Sequence, residues 1–276
     1  MYVGIDIGGT KTLIAVLDEN GVIVEQQKIP TNPDYDTFLS ELENVLASFK
    51  NKEFAAGGIG LPATVLDREH GRAKFFGNLP WKNIPIHTDM ERLCGCPVAI
   101  ENDAKLAALS EYMLLKDKFG VVLYVTISTG IGYGLVNKAR IDTDIGDGGG
   151  RTILLEHHGK MTPWEDFASG RAIVERFGKL AKDIDDSATW KIISHDLAKG
   201  FIELIAVTQP EAIVIGGSVG QYFGKFKKFL EEDIKQYHVP LIKLPVLLQA
   251  QRPELAVAYG CYDIAKQTFP DAKILI

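Results

Sequence analysis

Four short stretches of the chain combine residue types that could do chemistry. Asp6-Ile7-Gly8-Gly9-Thr10-Lys11-Thr12 sets a carboxylate at the end of an apolar run, then two glycines, then hydroxyls and a lysine. Amide groups at such a tight turn can cradle phosphate oxygens, and Asp6 is placed to hold a hydrated Mg²⁺. A plain hairpin with glycine at its positive-φ positions would show the same letters. Ser128-Thr129-Gly130-Ile131-Gly132-Tyr133-Gly134 is a second glycine turn between two β-branched runs. It is not the dinucleotide-binding motif, because a strand rather than a helix follows it. Two such turns in matching places of two half-chains could grip a triphosphate from both sides. Glu101-Asn102-Asp103-Ala104 joins a strand end to a helix start. Asn102 or Asp103 fits there as a helix N-cap; the functional alternative makes Asp103 a general base toward a substrate hydroxyl, with Asn102 hydrogen-bonding beside it. In Gly216-Gly217-Ser218 a buried strand breaks into a helix, and glycines there would let a flat ligand such as adenine approach the backbone.

These stretches need elements to hold them. Short β-branched runs alternate with longer helical patterns, the mark of α/β architecture. Residues 2–7, 12–17 and 22–28 read as three strands joined so tightly that they must be antiparallel neighbours. A helix follows over 33–49, with Phe38, Leu42, Val45, Leu46 and Phe49 on one face and Asn32 as its cap. Residues 54–61 and 98–100 read as strands, 89–93 as a helix, and 71–80 as turn-rich. The order then repeats. A helix over 103–115 leads to a strand pair at 121–128 and 133–136, then to helices over 164–182 and 187–207. A strand at 212–215, a helix over 222–235, a strand at 246–249 and a helix over 253–267 complete the pattern. The expected fold is therefore a duplicated βββαβα plan in two lobes, with the active-site cleft between them. Residues 1–112 form the N-terminal lobe, on which 253–276 pack back, and 113–252 form the C-terminal lobe with the nucleotide site.

Composition narrows the function classes. The chain has 276 residues, 46% apolar and 24% charged, as in ordinary globular proteins. Its 30 Lys and Arg against 36 Asp and Glu leave a net charge of −6, which argues against a nucleic-acid partner. Apolar runs such as 120–127 fall far short of the roughly 20 residues needed to span a membrane. Met1 leads within two residues into Val3-Gly4-Ile5-Asp6, so no signal peptide is expected. Three cysteines do not make a disulfide framework, and a reducing cytoplasmic address is expected.

Taken in order, these pieces resemble the ROK family of sugar kinases, glucokinase-like proteins of the actin/hexokinase superfamily. The resemblance runs over essentially the whole chain through Asp6–Thr12, Gly58–Ala63, Gly77–Trp81, Glu101–Ala104, Ser128–Gly134, Trp164–Ala172 and Gly216–Ser218. It implies phosphorylation of a hexose or amino-sugar hydroxyl by Mg·ATP. Asp103 would be the catalytic base, and Asn78, Asn102 and Glu165 would hydrogen-bond sugar hydroxyls. Gly8, Gly9, Thr10, Lys11, Thr129, Gly130, Gly132, Gly216 and Gly217 would line the phosphates and nucleotide, and Asp6 would help position Mg²⁺ through water. The family also makes a homodimer an expectation. Its DNA-binding repressor branch carries a helix-turn-helix before the first glycine turn, whereas the first strand here begins at residue 2.

The chain departs from that family in one segment. Many members have Glu-x-Gly-His after the second glycine turn, whose Glu and His bind sugar hydroxyls and whose His, with a cysteine-rich stretch, ligates a structural zinc. Here Gly149 and Thr152 stand at the Glu and His positions. Cys94, Cys96 and Cys261 are scattered, so no zinc is expected. Asp147 or Arg151 could substitute in the sugar site, the acceptor could lack the hydroxyls concerned, or the protein could be a sugar or nucleotide sensor without turnover. The glycines at 148–150 suggest a mobile loop. His157-His158 reads as a solvent-facing turn before Gly159, and Lys105 as either exposed or directed at the phosphates.

Overall fold

The computed structural model describes residues 1–237 and 239–272, and the chain divides into two compact units, Met1–Ser110 with Glu254–Ile276 and Glu111–Pro253. The first unit opens with β1 (Tyr2–Ile7), β2 (Lys11–Leu17) and β3 (Ile23–Pro30), joined by turns too short for anything but antiparallel pairing. Helix α1 (Tyr35–Ser48) buries Phe38, Leu42, Val45 and Leu46, spaced at three and four residues so that they share one face. Its cap is Asp34, whose carboxylate accepts the Thr37 amide at 2.9 Å, while Asn32 instead accepts the Asp34 amide. β4 (Ala56–Leu61) follows, then β5 (Ala63–Asp67) and β6 (Arg72–Phe76), α2 (Ile86–Cys94), β7 (Val98–Asn102) and α3 (Asp103–Met113). The sheet order is β3-β2-β1-β4-β7, with β1, β4 and β7 parallel. The β5–β6 hairpin occupies a stretch whose turn residues had masked its strands.

The second unit repeats this plan. β8 (Val121–Ile127), β9 (Ile131–Asn137) and β10 (Arg140–Ile141) are antiparallel neighbours. A small hairpin, β11 (Leu154–His157) with β12 (Lys160–Pro163), leads into α4 (Trp164–Ala168) and α5 (Gly170–Phe177). Next come α6 (Ser187–Thr208), β13 (Ala212–Gly216), α7 (Gly217–Gly220), α8 (Phe223–Gln236) and β14 (Val246–Gln249). The order β10-β9-β8-β13-β14 has the same two antiparallel pairings followed by two parallel ones as the first sheet. The expected single helix over 164–182 is broken. Ser169 is extended, the Gly170 amide donates to the Ser128 carbonyl at 2.7 Å, and the Ser169 hydroxyl caps α5 by accepting the Ala172 amide.

The last helix, α9 (Ala256–Thr268), belongs to the first unit. It lies against β1 and β4, where a side chain at Gly58 would run into the Cys261 backbone, so helix and strand approach at a distance only glycine allows. Residues 273–276, the end of the segment expected to pack on this lobe, lie outside the described residues. Each unit has its own apolar core: Val3, Ile5, Ile14, Phe38, Ile59 and Trp81 in the first, Leu123, Val125, Trp164, Trp190, Phe201 and Ile215 in the second. No helix among the described residues is long and apolar enough to cross a membrane.

Candidate active site

Three parallel strands of the first unit end side by side, and their C-terminal ends carry Asp6, Leu61 and Asn102. Strand ends in such sheets are where backbone and side chains meet a ligand. After β1 the chain turns at Gly8, whose amide donates to the Lys11 carbonyl at 2.9 Å. Thr31 braces the turn, donating from its hydroxyl to the Gly8 carbonyl at 2.8 Å, with Thr12 at 2.9 Å behind it. Gly9 leaves room for Asn78, whose side chain a Cβ at Gly9 would meet at 2.7 Å. Thr10, Lys11 and Asn78 are exposed. Lys11, Lys28, Glu254 and Asp6 line a cavity of about 270 Å³.

At the β7–α3 junction the capping and functional readings coexist. Asn102 Oδ1 accepts the amides of Ala104 at 2.9 Å and Lys105 at 3.3 Å, and its Nδ2 donates to the Ala63 carbonyl at 3.2 Å. Its amide group is thus engaged as a helix cap. Asp103 accepts the Ala104 amide through Oδ1 at 2.7 Å. Burial pushes its carboxyl up to about 6, against the lowering effect of that amide. Asp6 is pushed further, to about 7, by burial first and then by the charge of Asp103, with Lys28 pulling it down. A carboxylate whose ionisation is opposed by burial and by a neighbouring carboxylate is one that a divalent cation would favour. Lys105 is fully buried, so the exposed alternative for it does not hold.

In the second unit Ser128 is the hub of the second glycine turn. Its amide donates to the Gly130 carbonyl at 2.9 Å, and its hydroxyl accepts the Ser218 amide at 3.0 Å. The turn, the start of α5 and the β13–α7 junction are therefore tied together. They border a cavity of about 350 Å³ lined by Thr129, Arg171, Lys182, Ser218 and Tyr222, within the size range of small-ligand sites. Arg171 falls inside the Trp164–Ala172 stretch and Lys182 at the end of the expected 164–182 helix, but neither is expected from the sequence to be a site residue. Gly216 and Gly217 have an internal reason to be glycine: a Cβ would strike the Tyr124 hydroxyl at the first and the Ile127 backbone at the second, where φ is +83°. Gly130 makes way for the Glu165 carboxylate in the same manner, and Gly132 lies on β9 opposite Thr126.

Glu165 differs most from its expected state. It is buried and its oxygens are engaged, Oε2 accepting the Ile131 amide at 2.9 Å and Oε1 the Arg151 Nε at 2.7 Å. Arg151 comes from a 3-10 turn over Gly149–Arg151. That turn is packed rather than loose: Gly149 and Gly150 are buried, and the Thr152 hydroxyl donates to the Gly149 carbonyl at 2.9 Å. A side chain at Gly149 would collide with the Ile131 carbonyl. His157 is not solvent-facing, since its ring stacks on Phe167 at 4.2 Å; His158 forms the left-handed turn at φ +52°. Among the described residues no group of three His, Cys, Asp or Glu stands where it could share a metal ion. Cys94, Cys96 and Cys261 are buried and their thiols pushed up by desolvation, so they are poor ligands and nucleophiles.

Similarity to known proteins agrees over the whole length. The sequence profile of the ROK family matches residues 2–268. The chain is 28% identical to a glucokinase of Streptomyces coelicolor, covering 98% of this chain and 99% of that protein. It is 28% identical to an N-acetylmannosamine kinase of Escherichia coli, over 86% of this chain and 91% of the other. In three dimensions it resembles the crystal structure of a ROK family glucokinase from Streptomyces griseus in complex with glucose and AMPPNP. The TM-score is 0.81 at 23% identity, over 96% and 99% of the two chains.

Proposed function

The chain belongs to the ROK family, and we propose that it is a sugar kinase that transfers the γ-phosphoryl group of Mg·ATP to a hydroxyl of a hexose or amino sugar, with Asp103 as general base. The observation that carries this reading is the β7–α3 junction. There a carboxylate lies at a helix start with one oxygen on a backbone amide, pushed up by burial to about 6. Such a group is ionised at neutral pH yet basic enough to take a proton as it is released. The relatives named glucokinase and N-acetylmannosamine kinase support the acceptor class.

The chemistry follows from these parts. The acceptor oxygen attacks the γ-phosphorus in line, its proton passes to Asp103, and ADP leaves with the electrons of the broken P–O bond. Transfer of this kind depends on positioning and on stabilising negative charge. The glycine turn at Gly8 and Gly9, with Thr10 and Lys11, would meet phosphate oxygens. The walls bearing Thr129, Gly130, Gly132, Gly216 and Gly217 would hold the rest of the nucleotide, with Arg171 and Lys182 adding positive charge. Asp6 would hold Mg²⁺ through water, and the ion when bound neutralises charge on the phosphates. Asn78, exposed beside Gly9, would bind the sugar. Asn102 would frame the sugar site as a cap, and Glu165 through the Arg151 side chain that it orients.

The test is ADP release from Mg·ATP against a panel of hexoses and amino sugars, with Asp103→Asn in parallel. Sugar-dependent release that Asp103→Asn lowers roughly 10²- to 10⁴-fold, with nucleotide binding intact, is expected. Nucleotide and sugar binding without turnover would establish the sensor alternative that Gly149 and Thr152 raise.

A further inference from the structure

One ion pair near Asp103, with a buried carboxylate and a partly exposed guanidinium, takes no part in the reaction as derived above. Glu101 is only 2% exposed, in β7 next to Asn102 and two residues before Asp103. Arg68, in the turn between β5 and β6, donates to it twice, from Nε to Oε2 at 2.8 Å and from Nη2 to Oε1 at 2.5 Å. Oε1 also accepts the Asn102 amide at 2.6 Å. A two-pronged guanidinium–carboxylate contact fixes the orientation of both partners, which a single point charge does not. With its carboxylate buried and its guanidinium partly in water, such a pair adds little net stability, so geometry is the property it best explains.

The hairpin that supplies Arg68 touches the same junction a second time, where the Ala63 carbonyl in β5 accepts from Asn102 Nδ2. Its exit leads within two residues of β6 to Asn78, which lies against Gly9. One hairpin thus carries the proposed sugar ligand Asn78 at its exit and, at its turn, the arginine that grips Glu101, two residues before the base.

We propose that Arg68 is a positioning residue for phosphoryl transfer: through its fork on Glu101 it fixes the Asn102–Asp103 segment, and so couples the placement of the acceptor by the β5–β6 hairpin to the aim of the base. This rests on the reading of the chain as a sugar kinase with Asp103 as base.

The experiment compares wild type, Arg68→Met, Arg68→Lys and Asp103→Asn in steady-state ADP release, with the sugar that the wild type turns over fastest. Thermal melts of each variant report folding separately. Arg68→Met is expected to lower kcat roughly 10- to 100-fold, the scale of a small misplacement of a reacting group, while KM for Mg·ATP stays within about twofold. Arg68→Lys, which keeps the charge and loses the fork, is expected to fall between. If Arg68→Met leaves Glu101 too exposed to imbalance to fold, the pair Arg68→Met/Glu101→Gln removes both charges, keeps an acceptor for the Asn102 amide, and carries the same expectation. A folded variant with wild-type kcat, or a loss confined to KM for Mg·ATP, overturns the inference. A kinase sensitive to Asp103→Asn and indifferent to Arg68→Met overturns this inference alone, whereas a wild type without sugar-dependent release overturns the kinase reading along with it.

Discussion

Asp103 meets two opposing demands. Burial raises the cost of its charge, and its carboxyl sits at about 6 instead of the ordinary 3.8. Turnover that needs the ionised form should fall as pH drops through about 6, close to tenfold per unit below it, in a kcat/KM profile taken from pH 4.5 to 8. A limb near 4 would mean that the base is solvated or is another group. Stability should move the other way. Between 3.8 and about 6 the folded state binds more protons than the unfolded one, so this group's contribution is fully favourable at low pH and is lost as pH rises. Asp103→Asn removes the charge and keeps an oxygen for the Ala104 amide. It should therefore stabilise the protein at pH 7 by about 1–2 kcal/mol, read as a higher midpoint in urea, while turnover collapses. A destabilised Asp103→Asn would mean that the carboxylate is held by partners that outweigh its burial.

At the scale of elements, the 3-10 turn at Gly149–Arg151 decides what replaces the family's Glu and His. Gly149 has φ +56° and its missing Cβ faces the Ile131 carbonyl. Restoring the family residue by Gly149→Glu should therefore not restore a sugar ligand. It should destabilise the second unit by roughly 2–4 kcal/mol, from backbone strain plus the collision, seen as a lower thermal midpoint with no gain in sugar affinity. The turn also explains why Glu165 is paired with Arg151: the tight backbone brings the guanidinium to a carboxylate already anchored on the Ile131 amide. Arg151→Ala should raise the sugar KM more than that for Mg·ATP, because it frees the carboxylate beside the second glycine turn. An equal effect on both would assign Arg151 to the nucleotide instead.

For the whole molecule, the decisive feature is the return of the chain to its first unit at residue 254. Helix α9 covers β1 and β4 at a spacing that Gly58 permits, and Tyr262 reaches across to donate to the Glu19 carbonyl at 2.7 Å. A chain ending at Pro253 should leave that sheet face bare and fail to fold as the first unit, giving insoluble protein or loss of the cooperative melt. A truncated chain that melts like the full one would show that the helix is an accessory. Metal dependence is testable at the same scale. Chelator treatment should neither release zinc nor lower the melting temperature, and stoichiometric zinc would require a ligand set other than the three cysteines.

Much of this was legible in the letters, because it depends on local patterns. Alternation and short turns dictate the first antiparallel triplet and the β8–β9 pair, helical spacing dictates α1 and α6, and the repeated run of elements points to two lobes of one plan, whereas the two-residue β10 shows only through its pairing with β9. The glycine turns at Gly8 and Gly130, and Asp103 at a strand-to-helix switch, could be picked out from residue type and neighbours alone. What needed the tertiary structure were facts that join residues distant in sequence. The strands at 63–67 and 72–76 hide among turn residues, and only pairing with each other makes them a hairpin. Ser169 breaks a helix because the Ser128 carbonyl lies where the Gly170 amide needs it. Glu165 meets Arg151, and Glu101 meets Arg68 from 33 positions away. No spacing rule encodes such meetings, because packing sets the distance between side chains from separate elements. Burial is likewise a property of the assembled core, and so the shift of Asp103 toward neutral pH could not be read from its neighbours in sequence.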